Sequence, residues 1–114
     1  MSDCLFCKFA SGEIKPAVVH ESERVLAFKD INPQAPTHVL IIPKRHLATL
    51  NELTPADAGL IGELYLAAKQ IAEAGGIAES GYRVVLNCGA GAGQSVFHLH
   101  LHLLGGRRMN WPPG

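Results

Sequence analysis

The chain has 114 residues, 47% hydrophobic and 18% charged, with ten basic and ten acidic side chains that give a formal net charge of zero. That length suits one domain spanning 1–114, and that hydrophobic content suits a packed core and excludes a disordered chain. With no basic run and no apolar run of membrane length, the composition excludes a binder of long nucleic acid and a membrane span.

Zero net charge leaves little repulsion between copies and so points toward association. The start, Met1-Ser2-Asp3-Cys4, shows neither a basic flank nor an apolar stretch, and three cysteines point to a reducing compartment. The expected location is cytoplasmic, or nucleocytoplasmic in a eukaryote.

Residues 3–11 read as a short helix stopped by Gly12. Val18–His20 and Arg24–Asp30 form a predicted hairpin around Glu21-Ser22-Glu23, with His20 a strand-surface residue. Asp30-Ile31-Asn32-Pro33 then breaks the ladder, because proline removes a donor and asparagine favours turns. Thr37–Pro43 is almost continuously apolar, the pattern of an interior strand, with His38 at its start. Thr54-Pro55-Ala56-Asp57 opens a helix with an N-cap, a proline in the first turn and an acid behind it. Leu60, Ile61, Leu64, Ala68, Ile71 and Ala72 share one face of that helix, and Gly75-Gly76 ends it. Tyr82–Asn87 is a further strand. No internal repeat or linker interrupts the order: strands, a long helix, two more strands.

From Gln94 to Gly106 three histidines alternate with leucines, the period of a β-strand. His98, His100 and His102 are predicted on one face, and Leu99, Leu101 and Leu103 on the other. Two residues of strand advance about 6.6 Å, so the outer histidines stand about 13 Å apart at the backbone. One metal could take two of them but hardly all three. The loop before them, Gly89 to Gly93, is almost without side chains, which lets backbone N–H groups approach an anion; Gln94 and Ser95 follow it. Asp30 suits the two hydroxyls of a ribose, or a simple turn before Asn32-Pro33. Phe6, Phe9, Ile14, Phe28 and Ile31 could wall a base pocket and are equally core candidates. Cys4 and Cys7 form a Cys-x-x-Cys pair. A redox pair of the thioredoxin kind would follow a strand, and none precedes it. A closed zinc site needs two more ligands, for which His46 and His98 are available, leaving His100 and His102 for chemistry.

The run Gln94-Ser95-Val96-Phe97-His98-Leu99-His100-Leu101-His102-Leu103-Leu104 resembles the histidine triad family, defined by His-φ-His-φ-His-φ-φ with φ apolar. Ala27-Phe28-Lys29-Asp30-Ile31, Pro33-Gln34-Ala35-Pro36-Thr37-His38, Gly93-Gln94-Ser95 and the Gly105-Gly106…Trp111-Pro112-Pro113-Gly114 ending resemble its Hint branch. The resemblance implies an α+β fold: a five-stranded antiparallel sheet with one long and one short helix, continued across a homodimer. It implies hydrolysis of purine nucleoside 5′-phosphoramidates, such as adenosine 5′-monophosphoramidate or AMP joined to a lysine amine, through a nucleotidyl-histidine. His100 would be the nucleophile, His102 and His38 would position and polarise the site, and Ser95 would assist the leaving amine. Asn87, Gly93 and Gln94 would line the phosphate and ribose side, with Asp30 on the ribose hydroxyls. No metal is required for that chemistry. Cys4, Cys7, His46 and His98 also match the ligands that some other members of the family place around structural zinc.

Two further readings stand beside this one. Another branch of the family hydrolyses dinucleoside polyphosphates, although Gln94-Ser95 and the Trp-Pro-Pro-Gly ending favour the first activity. A nucleotide-binding adaptor with incidental turnover is the alternative from a different class. A hydrolase using the triad itself as zinc ligands is disfavoured by the strand spacing.

Overall fold

The computed structural model describes residues 3–114. The elements are α1 (Leu5–Ser11), β1 (Val18–Glu21), β2 (Val25–Lys29), β3 (Thr37–Pro43), α2 (Ala58–Ala74), β4 (Tyr82–Leu86) and β5 (Leu101–Gly105). The strands form one five-stranded sheet in the order β1-β2-β3-β5-β4. Each neighbouring pair is antiparallel. The fold class is therefore the expected α+β sheet with one long and one short helix.

Period-two alternation divides the apolar residues between the faces of this sheet. Val25, Ala27, Val39, Ile41, Leu101 and Leu103 pack against Leu60, Leu64, Ala68 and Ile71 of α2. Leu26, Phe28, Leu40 and Ile42 face the other way and meet Phe6 of α1. A 17-residue helix covers the first face, while α1 offers only seven residues to the second. The short cover leaves part of that second face open beside β3 and β5.

Strand and helix ends shift by one or two residues from those read in the sequence, and the start of α2 shifts further. The segment at Thr54 starts as a 3-10 turn, Pro55–Asp57, and α2 proper begins at Ala58. The Asp57 carboxylate reaches back to the Thr54 N–H at 2.8 Å and is also held by Arg45, which tightens that first turn. Along α2, Ala67 joins the buried face and Ile61 is only half-buried.

The histidine segment departs more. Only Leu101–Gly105 pairs as strand, so His98 and His100 precede β5 rather than lying in it. Extending the β3–β5 register past Ile41↔Leu101 would set Leu99 opposite Pro43, which has no N–H to donate. The Leu99 N–H goes instead to the Leu47 carbonyl at 2.6 Å. The alternation survives without the ladder, because Leu99, Leu101 and Leu103 all enter the core under α2. Past the other end of β5, Gly106 has φ +87, and a Cβ there would come within 2.9 Å of Pro36 Cβ. Only glycine fits that turn without strain.

Candidate active site and metal centre

The open part of the second sheet face is a cleft of 480 Å³ lined by Phe6, Phe28, Asp30, Ser95, His100 and His102, among others. Its size lies in the range of small-molecule sites. One end is aromatic: the rings of Phe6 and Phe28 meet edge-on at 5.3 Å, and Phe9 meets Phe28 at 5.0 Å. Phe6 and Phe28 are buried while also facing the cleft, so they act both as core and as wall. Ile14 and Ile31 lie at the same cleft, Ile31 fully exposed. Leu40 and Val96 line it as well, and as ordinary apolar types they gave no signal in the sequence.

The polar end is a chain of imidazoles whose partners fix where each proton sits. The Gln34 backbone N–H donates to His38 Nδ1 at 3.0 Å, so in neutral His38 the proton is on Nε2. That Nε2–H donates to His102 Nδ1 at 2.9 Å, which leaves His102 its proton on Nε2. Asp30 stands 3.4 Å from His38 Nε2 with one oxygen and accepts from the Asn32 N–H at 2.8 Å with the other. His100 Nδ1 lies 2.8 Å from the carbonyl of His98. A carbonyl only accepts, so His100 carries its proton on Nδ1 and an unshared pair on Nε2.

Burial pushes the pKa of His38 down against the pull of Asp30, and that of His100 down against its bond to the His98 carbonyl. His102 is lowered to about 4, first by burial and then by the neighbouring His100 and His38. All three rings are neutral at neutral pH. An unprotonated imidazole, a neutral donor beside it and an apolar wall can attack an electrophile and hold its developing charge.

The remaining candidates fall in different places. Ser95 is exposed at the cleft, and Gly93 is exposed in the loop before it. Gln94 is buried, and its amide is occupied: Oε1 accepts from Gly89 N–H at 2.8 Å, and Nε2 donates to Ala48 and Val96 carbonyls at 2.8 and 3.1 Å. The glycine loop folds on itself as a 3-10 turn over Ala90–Ala92. The N–H groups of Ala92, Gly93 and Gln94 bond to Gly89 and Ala90 carbonyls. Most of the amides expected to cradle an anion are thus taken within the loop. Asn87 follows β4, half-buried, outside the lining of the cleft.

Cys4, Cys7, His46 and His98 converge on the far side of Phe6, with one ligand atom from each lying within 4.8 Å of every other. His98 Nδ1 is 3.3 Å from Cys4 Sγ, 3.5 Å from Cys7 Sγ and 3.2 Å from His46 Nδ1; Cys7 Sγ is 3.2 Å from His46 Nδ1. A tetrahedral ion with bonds of about 2.0–2.3 Å would have ligand separations of about 3.3–3.8 Å. The tautomer fits too. His98 Nε2–H donates to the Pro43 carbonyl at 2.7 Å, leaving Nδ1 unprotonated toward the thiols. Two thiolates and two imidazoles suit a soft tetrahedral cation and close its coordination.

Asp30, His38 and His102 also approach within 4.8 Å of one another. Their tautomers point elsewhere. A cation on His38 Nε2 would force the ring proton onto Nδ1, directly against the Gln34 N–H. The second cluster is arranged around a shared proton, whereas the first offers a donor set that could hold a metal.

A small α+β domain with a histidine-lined cleft beside a Cys2His2 centre is the class that this geometry defines. The chain matches the HIT domain over residues 11–109, and it belongs to the HIT family. A HIT family hydrolase from Legionella pneumophila superposes with a TM-score of 0.96 at 56% identity, covering 98% of this chain and 100% of that one. The 14 kDa zinc-binding protein of Zea mays is 52% identical over 99% of this chain and 89% of its own length. The adenylylsulfatase HINT1 of Arabidopsis thaliana is 47% identical over 99% of this chain and 78% of its own.

The lowered His102 sets a pH dependence of stability. Between the ordinary imidazole value of about 6.5 and about 4, the unfolded chain binds a proton at His102 that the folded chain does not. Stability is therefore full above about pH 6.5 and falls as pH drops through that window, by up to about 3 kcal/mol from this ring. Denaturant midpoints from pH 7.5 to 4.5 should fall more steeply in the wild type than in His102→Gln. Equal slopes would contradict the assignment.

Proposed function

We propose that this protein hydrolyses purine nucleoside 5′-phosphoramidates, among them adenosine 5′-monophosphoramidate and AMP joined to a lysine amine. The observation that carries the reading is the His100 Nδ1–H bond to the His98 carbonyl, which turns the Nε2 pair of that ring into the nucleophile of the cleft. Phe6, Phe28 and Ile31 would hold the base, and Asp30 the ribose hydroxyls. His100 Nε2 attacks phosphorus and the P–N bond breaks; the Ser95 hydroxyl hands its proton to the leaving amine and is reprotonated from solvent. Water then attacks the nucleotidyl-histidine, loses its proton to solvent, and releases the nucleoside monophosphate while the pair returns to Nε2. His102, neutral and with Nε2–H to offer, steadies the phosphoryl oxygens; His38 keeps it in that tautomer. Cys4, Cys7, His46 and His98 would hold one structural zinc, which the chemistry itself does not need. Thiolate ligands of this kind suit a reducing cytoplasm, or a nucleus in a eukaryote.

The Arabidopsis relative's name favours a second leaving group on the same cleft. With adenylyl sulfate the attack on phosphorus is unchanged, and sulfate departs in place of an amine without needing a proton.

The functional unit in this reading is a homodimer whose sheet continues across β4. Supporting it, β4 is one of the two edge strands of the sheet, with Val84, Val85 and Leu86 half-buried along it. An unpaired strand edge is a template for pairing with another copy. Sedimentation should return twice the chain mass of 12.2 kDa; a single-chain mass well above cellular concentration would exclude the dimer.

The activity is tested by initial rates on a phosphoramidate, adenylyl sulfate and a dinucleoside polyphosphate. His100→Asn keeps size and a hydrogen-bonding group but removes the nucleophile. AMP binding should stay within about tenfold, about 1.4 kcal/mol, while phosphoramidate turnover falls by several orders of magnitude. Normal turnover by His100→Asn would remove the assignment. Tight AMP binding with negligible wild-type turnover on all three substrates would favour an adaptor.

A further inference from the structure

The metal centre and the nucleophile share the peptide group between His98 and Leu99. Its carbonyl accepts from His100 Nδ1–H, and its N–H donates to the carbonyl of Leu47, the residue after His46. The His98 ring is gripped at both nitrogens, by Pro43 and by the Cys4–Cys7–His46 cluster. Both histidine ligands thus brace one peptide plane, and that plane sets the proton position on His100. Phe6 supplies a second link. It lies between Cys4 and Cys7 on α1, with its ring edge-on to His98 at 6.0 Å and to His100 at 5.2 Å. The helix has seven residues, too few to be stable alone in water, and Cys4 caps it by accepting the Cys7 N–H at 3.3 Å.

We propose that the Cys4–Cys7–His46–His98 cluster, once metal-bound, positions the nucleophile: His98 acts as a positioning residue for His100, and Phe6 as the matching brace on the cleft wall. The proposal deepens the reading of His100 as nucleophile and rests on it. Loss of a ligand frees the His98 ring, lets the 98–99 peptide rotate and slackens α1. His100 then exchanges between its two tautomers, and its ring loses its fixed aim.

The test compares zinc-loaded wild type, wild type stripped with EDTA, and His46→Asn, all at 10 °C. His46 is exposed and stands outside the lining of the cleft, so its replacement touches the ligand set alone. Long-range ¹H–¹⁵N spectra of the histidine rings should show His100 as one Nδ1–H tautomer in the zinc-loaded protein and as a mixture in the other two. Phosphoramidate kcat should fall by about tenfold or more, with KM changing by about threefold or less. Restoring zinc to stripped wild type should reverse both. If stripped and substituted proteins do not fold, zinc-loaded His46→Cys, with four ligands on a shorter arm, decides by the same spectra. A lowered melting temperature with the Nδ1–H tautomer and kcat intact would overturn the proposal and leave the metal a folding role only. The tautomer is read without substrate, so failure of the nucleophile assignment would show separately, as turnover that survives His100→Asn.

Discussion

The hydrogen bond from His100 Nδ1–H to the His98 carbonyl is the contact on which the rest of the site depends. An imidazole with its proton on the wrong nitrogen is no nucleophile, however well it is placed. A carbonyl inside a regular ladder belongs to the neighbouring strand, so the segment must leave the sheet before it reaches His100. Both ladders of β5 stop at Leu101, against Ile41 on one side and Leu86 on the other. Pro43 helps to end one of them, and its own carbonyl then serves the His98 ring. The alternation continues through the break, so Leu99 still enters the core while His98 and His100 face Phe6.

Six histidines in one small chain need a physical rule to tell their uses apart. Here the rule is the second partner of each ring. His98 gives its Nε2–H to a carbonyl and turns an unprotonated nitrogen to the thiols. His38 receives an amide N–H on Nδ1 and passes its own proton toward His102. His100 gives its Nδ1 proton to a carbonyl and keeps an unshared pair on Nε2. Burial lowers His38, His100 and His102, which keeps them neutral and spares them mutual repulsion at neutral pH.

Much of this was legible in the sequence, because it rested on periodicity and on residue types. The apolar run Thr37–Pro43, the stripe from Leu60 to Ala72 and the leucine alternation gave β3, α2 and the orientation of β5. Cys4, Cys7, His46 and His98 could be grouped across more than ninety positions because few other side chains bind a soft cation. The start of β5 was not legible, since it depends on a proline in a different strand. The bareness of the loop from Gly89 is visible in the sequence, but the use of its Ala92, Gly93 and Gln94 N–H groups within the loop is not. Gln94 showed a type suited to a ligand, while its buried amide braces three backbone groups. The tautomers were beyond reach altogether. They are set by the Gln34 amide and the His98 and Pro43 carbonyls, groups that every residue offers and no sequence pattern marks.

The most direct test of the central claim is to catch the nucleotide on His100. Zinc-loaded protein mixed with a phosphoramidate labelled in its phosphoryl group, quenched in alkali within the first turnover, is digested and read by mass spectrometry. Alkali matters, because a phosphoramidate bond to histidine is lost in acid. Label is expected on the peptide containing His100, with its amount tracking the first turnover and no label in His100→Asn. Label on His38 or His102, or full wild-type turnover with no covalent label on any histidine, would contradict it.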